Sequence, residues 1–175
     1  MNIYHYGLDY NERMKRIELA NYGVFAEPDA TYSPEWLCSF LYGRMRLNRA
    51  QLDRDILVSL NCKGRVSSLY FVQNGAQTYG LFSQRLTLLY ALLSFCEAFV
   101  FVHYKADAPC APTNEDGSTC RALNKAFSAL SLKLYDFLLI GMDGWHSFRM
   151  QGKNAPHCQD DAATAIPTKN SDRAA

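Results

Sequence analysis

The chain has 175 residues, 49% of them hydrophobic, and a formal net charge of +1. That length and apolar content suit one domain with a sizeable core and exclude a globally disordered chain. The near-zero charge removes the simplest argument for nucleic-acid binding and leaves only a locally basic patch as a route to it.

Residues 1–50 read as a helical, helix-linked extension packed on the main domain. From Asn11 to Asn21 the apolar residues Met14, Ile17 and Ala20 recur in steps of three, although Leu19 falls outside that spacing. Gly23 to Tyr32 contains Pro28 and Asp29 and reads as a loop. Ser33-Pro34 then supplies an N-cap followed by proline at the first helical position. Leu37, Phe40, Leu41 and Met45 follow at helical spacing, so this helix should bury one stripe. Arg44, Arg46 and Arg49 collect at its end, a candidate partner or nucleic-acid surface set against the plainer reading of a solvated helix end.

Residues 51–150 change period and read as an α/β domain. Ile56 to Leu60 and Arg65 to Val72 are strand candidates joined by the turn-like Asn61-Cys62-Lys63-Gly64, an antiparallel hairpin, with Asn74-Gly75 marking the next turn. Ser83 to Phe95 predicts a helix with Leu86, Leu89, Tyr90 and Leu93 on one face. Ala98 to Val102 is short and wholly apolar, as expected near the centre of a sheet. After the Pro109–Thr113 loop, Thr113 can cap a helix with Glu115 and Asp116 in its first turn and Thr119, Leu123, Ala126, Phe127 and Leu130 on its inner face. Leu134 to Ile140 and Trp145 to Met150 are the last strands, and 151–175 reads as a flexible polar tail. The apolar run Leu86 to Val102 is broken by Ser94 and Glu97, so buried helix then buried strand fits better than a membrane span. Met1 to Ala20 lacks the apolar centre of a secretory signal, and six cysteines occur without a CxxC pair, which points to a cytoplasmic setting.

The chemistry concentrates just beyond the apolar strand. His103 and Asp116 are suitable metal ligands, and Lys105 stands where a second histidine would complete a facial set. An ammonium brings positive charge and no lone pair to a site meant for a cation. Its spacing lets Lys105 reach Asp116 instead and close the loop without metal. Two rebuilt sites remain open alternatives: Asp107 as the replacement ligand beside His103 and Asp116, or Cys110 and Cys120 joining His103 and Asp116 in a structural zinc site. His103 can equally serve a backbone group at the strand end, and Asp116 can be only a first-turn helix charge.

From about Asp53 to Met150 these fragments, in this order, resemble the RadC branch of the JAB/MPN metalloprotease superfamily. The family's zinc motif is His-x-His, ten residues, then Asp; here His103-x-Lys105 is followed by ten residues and Asp116. Pro112 matches the family's loop proline, Thr113 stands for its serine, Asp136 to Gly141 resembles its Asp-His-aliphatic-Gly strand, and Ser147-Phe148-Arg149 its last strand. The His-Pro-Ser-Gly turn is absent, its places taken by Ala106, Asp107 and Ala108. The general-base glutamate has Asp53 as its closest counterpart and Asp55 as a second candidate, each one methylene shorter. The resemblance implies a mixed central sheet flanked by helices. It further implies a degenerate hydrolase that works without a cofactor and binds a macromolecule, a protein before a nucleic acid, with self-association open. Its setting would be DNA metabolism, host defence or counter-defence in a prokaryote, plasmid or phage. The alternatives are a zinc-dependent peptidase or isopeptidase with a rebuilt site, and a DNA-binding protein using Arg44, Arg46 and Arg49.

Overall fold

The computed structural model describes residues 2–11, 16–27, 30–74 and 81–150. Seven strands form one sheet in the order β2-β1-β4-β3-β5-β6-β7. They are β1 (Asn2–Asn11), β2 (Arg16–Ala26), β3 (Arg54–Leu60), β4 (Val66–Asn74), β5 (Ala98–Tyr104), β6 (Lys133–Gly141) and β7 (Gly144–Ser147). Helix α1 (Pro34–Gly43) packs on one face of the sheet; α2 (Leu81–Leu93) and α3 (Asn114–Ala129) pack on the other.

Each strand's alternation builds two cores. Ile56, Val58 and Leu60 of β3, Val100 and Val102 of β5, and Leu138 and Ile140 of β6 meet Leu37, Phe40 and Leu41 of α1. Their odd-numbered neighbours Leu57, Phe99, Phe101, Phe137 and Leu139 meet Tyr90 and Ala91 of α2 and Leu123 and Phe127 of α3. β5 runs antiparallel to β3 and parallel to β6, and every residue of it is buried. This is the position its unbroken apolar sequence demands. The β3–β4 hairpin also forms as its turn residues require: Asn61 Oδ1 accepts from the Lys63 and Arg65 amides at 2.9 and 3.1 Å, and Gly64 takes φ 70°.

The N-terminal expectation is overturned. Residues 2–11 and 16–26 are strands, not helices, and the predicted loop from Gly23 begins inside β2; residues 12–15 of the expected helix lie outside the described residues. The Ile17 and Leu19 spacing that spoiled a period of three is a period of two. β1 pairs in parallel with β4 through Tyr4↔Ser68, His5↔Leu69 and Tyr6↔Tyr70, so these strands widen the same sheet. Two helix faces are also corrected. In α2, Thr87, Tyr90 and Ala91 are buried while Leu89 and Leu93 are exposed; in α3, Cys120 is buried, and Leu130, just past its end, is exposed. The last strand stops at Ser147 rather than Met150, and α1 ends at Gly43, before Met45. The expected tail, 151–175, lies outside the described residues.

Candidate functional site

His103 follows Phe99 and Phe101 on one face of β5, and Lys105 is the first residue beyond the strand, where the chain leaves the sheet. Register places Asp55 of β3 directly opposite His103. There Asp55 Oδ1 lies 2.7 Å from His103 Nδ1, with the two residues 4% and 8% exposed. A carboxylate only accepts, so Nδ1 carries the hydrogen and the ring is held in one orientation.

Asp116 enters from α3. It closes a capping box with Thr113: the Asp116 amide donates to Thr113 Oγ1 at 3.2 Å, and the Thr113 amide donates back to Asp116 Oδ2 at 2.8 Å. Thr113 Oγ1–H donates to the same Oδ2 at 2.8 Å. The third donor is the Lys105 ammonium, with Nζ 2.7 Å from Oδ2, and Nζ also donates to the Ala111 carbonyl at 3.0 Å. Asp116 is 1% and Lys105 8% exposed, so both charges are out of water and each depends on the other. The pairing expected from the spacing is therefore present.

The loop between them is tied down along its length. The Lys105 amide donates to Ile140 O at 2.8 Å, the Ala106 amide to Asp53 Oδ1 at 2.8 Å, and the Cys110 amide to Asp143 Oδ1 at 2.7 Å. That Cys110 contact, first among its causes, holds the Asp143 carboxyl below its ordinary value. The Met142 amide donates to Ala108 O at 3.1 Å. Gly141 lets the loop lie this close: a Cβ there would fall 2.4 Å from Cys110 N and 2.6 Å from Ala108 O. Asp53 thus pins the loop and Asp55 orients His103. Asp107 is exposed in the loop. Arg44 pairs with Glu27 at 3.0 Å, and Arg46 and Arg49 are exposed.

A zinc centre needs three or four converging donors. Among the described residues no three His, Cys, Asp or Glu side chains are grouped to hold a metal ion. Lys105 puts a cation where a ligand would stand, and Asp116 Oδ2 already accepts three hydrogen bonds. Nor, among the described residues, do Cys110 and Cys120 join His103 and Asp116 in such a group. These residues do not fit the metal that the fold implies.

Sequence reasoning missed Asp143 and the close approach at Gly141, for which the only signal was the Gly-Met-Asp-Gly turn. Asp136, which the sequence singled out only as part of a motif match, is a further buried carboxylate, on the α1 face of the sheet. Asp136 Oδ2 accepts from Tyr32 Oη and Ser147 Oγ, both at 2.6 Å, and Oδ1 accepts from the Arg149 amide at 3.2 Å. The Arg149 guanidinium lies 3.7 Å over the Tyr135 ring. Burial raises both Asp136 and Tyr32 above their ordinary values, and the hydroxyl hydrogen bonds pull Asp136 partly back.

A mixed sheet covered on both faces, with a histidine loop leaving the end of its central strand, defines an α/β domain of the JAB/MPN type. Residues 31–153 match the model of the RadC-like JAB domain, and the chain belongs to that family. The match takes in α1, which the sequence reading had assigned to an extension. A UPF0758 protein of Trichlorobacter lovleyi is 28% identical over 120 residues, covering 69% of this chain and 51% of that protein. One from Chlorobaculum parvum is 27% identical over 110 residues (63% and 50%), and one from Symbiobacterium thermophilum 24% over 139 residues (79% and 53%). The chain spans about half the length of these curated relatives. No helix among the described residues is long and apolar enough to cross a membrane.

Proposed function

We propose that this chain is a RadC-like JAB domain that has given up hydrolysis and works by binding a macromolecular partner, a protein in the first place. The observation that carries the reading is the Lys105 Nζ–Asp116 Oδ2 contact at 2.7 Å. A hydrolase of this class needs a metal to lower the pKa of water and a carboxylate to move its proton. Here the acidic ligand is spent on an ammonium, and of the two candidate bases Asp53 accepts from a backbone amide while Asp55 holds His103. What the site retains is a loop with a fixed shape, the property a binding surface needs. The resemblance to RadC-like proteins is the support for seeking such a partner in DNA metabolism, defence or counter-defence.

The test has two arms. Peptide and isopeptide substrates are incubated with the full chain, with added zinc and with chelator. The chain is also purified from its native host and its co-purifying proteins are quantified. The proposal expects no zinc-dependent cleavage and a protein present at fixed stoichiometry. Cleavage that chelator abolishes and that His103→Ala loses would overturn it in favour of the hydrolase.

A further inference from the structure

Lys105 does more than fill a gap, because its backbone amide and its ammonium together tie three separate parts of the loop's closure. Its own backbone is fixed to β6 through Ile140 O; its Nζ reaches Ala111 O near the far end of the loop and Asp116 at the start of α3. The acceptors around Nζ are a carboxylate oxygen and a backbone carbonyl, both suited to a hydrogen-bonding cation. The carboxylate is almost wholly buried, so it cannot be left without a positive partner at low cost.

We infer that this pocket is a built-in ammonium site, in which the chain supplies its own cation and which, once Lys105 is truncated, takes a small primary alkylammonium ion from solution in preference to zinc. The inference rests on the reading of the centre as metal-free. Selectivity follows from the donor set. An ammonium needs only acceptors at hydrogen-bond distance, and Asp116 Oδ2 and Ala111 O are already so placed. Zinc would need three or four converging ligands, and among the described residues no such group is assembled, while Thr113 donates twice to the Asp116 oxygen. The missing group in Lys105→Ala is a three-carbon chain with its ammonium, so propylammonium matches it in length and charge.

The experiment is a thermal-unfolding titration of full-length Lys105→Ala with propylammonium chloride, using tetramethylammonium, propanol and zinc chloride as comparisons. The expected result is a midpoint that falls in the variant and climbs with the logarithm of propylammonium concentration, as linkage to a native-state site requires. Tetramethylammonium, which has no N–H, and uncharged propanol should leave it unmoved, and wild type should not respond. Equal rescue by tetramethylammonium or propanol, or rescue by zinc alone, would overturn the inference. If Lys105→Ala does not fold, Lys105→Met and Lys105→Met/Asp116→Asn decide. A double variant more stable than Lys105→Met supports an ammonium held for its charge; a Lys105→Met as stable as wild type overturns it. A metal-free wild type with no amine rescue sinks this inference alone, whereas stoichiometric metal in wild type sinks the reading beneath it.

Discussion

Of the buried aspartates, Asp116 and Asp136 lie on opposite faces of one sheet and are kept in place by different means. Asp116 has a full cation, Lys105, at 2.7 Å, together with both donors of Thr113. Asp136 has dipoles: two hydroxyls at 2.6 Å and one backbone amide at 3.2 Å. Asp136 is lifted above its ordinary range because hydroxyls offset only part of what burial costs a carboxylate. The contrast shows which carboxylate can lose a partner and survive. Removing one hydroxyl from Asp136 leaves other donors and a proton it can take up, whereas removing Lys105 strands a charge.

The largest break should therefore come from Lys105→Met, which keeps the apolar stem and deletes the charge. Its expected cost is about 3–5 kcal/mol in denaturant unfolding, the range for breaking one side of a buried pair. Gly141→Ala attacks the same region by shape, since the new Cβ would collide with loop backbone rather than a movable side chain. A loss of about 1–3 kcal/mol is expected, with faster exchange of the Cys110 and Met142 amides.

On the other face, Tyr32→Phe removes one donor from Asp136 and should cost about 1–3 kcal/mol at neutral pH. Its pH dependence sharpens the comparison. Because folding raises the Asp136 pKa above 3.8, the folded chain holds that proton more tightly than the unfolded one. This group's contribution is greatest in acid and declines as pH rises through the window above 3.8. Tyr32→Phe should extend that decline to higher pH, and Asp136→Asn should abolish it, as read from stability measured across a pH series. Thr113→Ala, which removes the cap but leaves Lys105, should cost only about 1 kcal/mol. The smallest effect belongs to exposed Asp143. Its pKa is lowered by the Cys110 amide, so its contribution is present above its ordinary value and lost as pH falls. Asp143→Asn should flatten only that acid limb.

The hairpin, the buried central strand and the capping box were legible because each rests on neighbours in sequence: Asn61 with Gly64, the unbroken Ala98–Val102 run, Thr113 with Asp116. The Lys105–Asp116 pair was legible for a related reason, since its two ends flank one short loop. Asp55 beside His103 was named only as a base, because its partnership depends on β3–β5 register. Tyr32 with Asp136, 104 residues apart, left no local trace. The N-terminal strands were misread because a weak period of three in Met14, Ile17 and Ala20 was preferred to the alternation of Ile17 and Leu19. Which helix face is covered depended on the neighbouring layer, so Leu89, Leu93 and Leu130 were assigned inward on periodicity alone.

The central claim is that Lys105 supplies the cation this site would otherwise take from solution. Elemental analysis of the full chain, purified without a histidine tag and run beside His103→Ala, tests it most directly. The account predicts no stoichiometric metal in either protein, with both folded. About one zinc per chain in the wild type, lost in His103→Ala, would contradict it and make this a rebuilt metal centre.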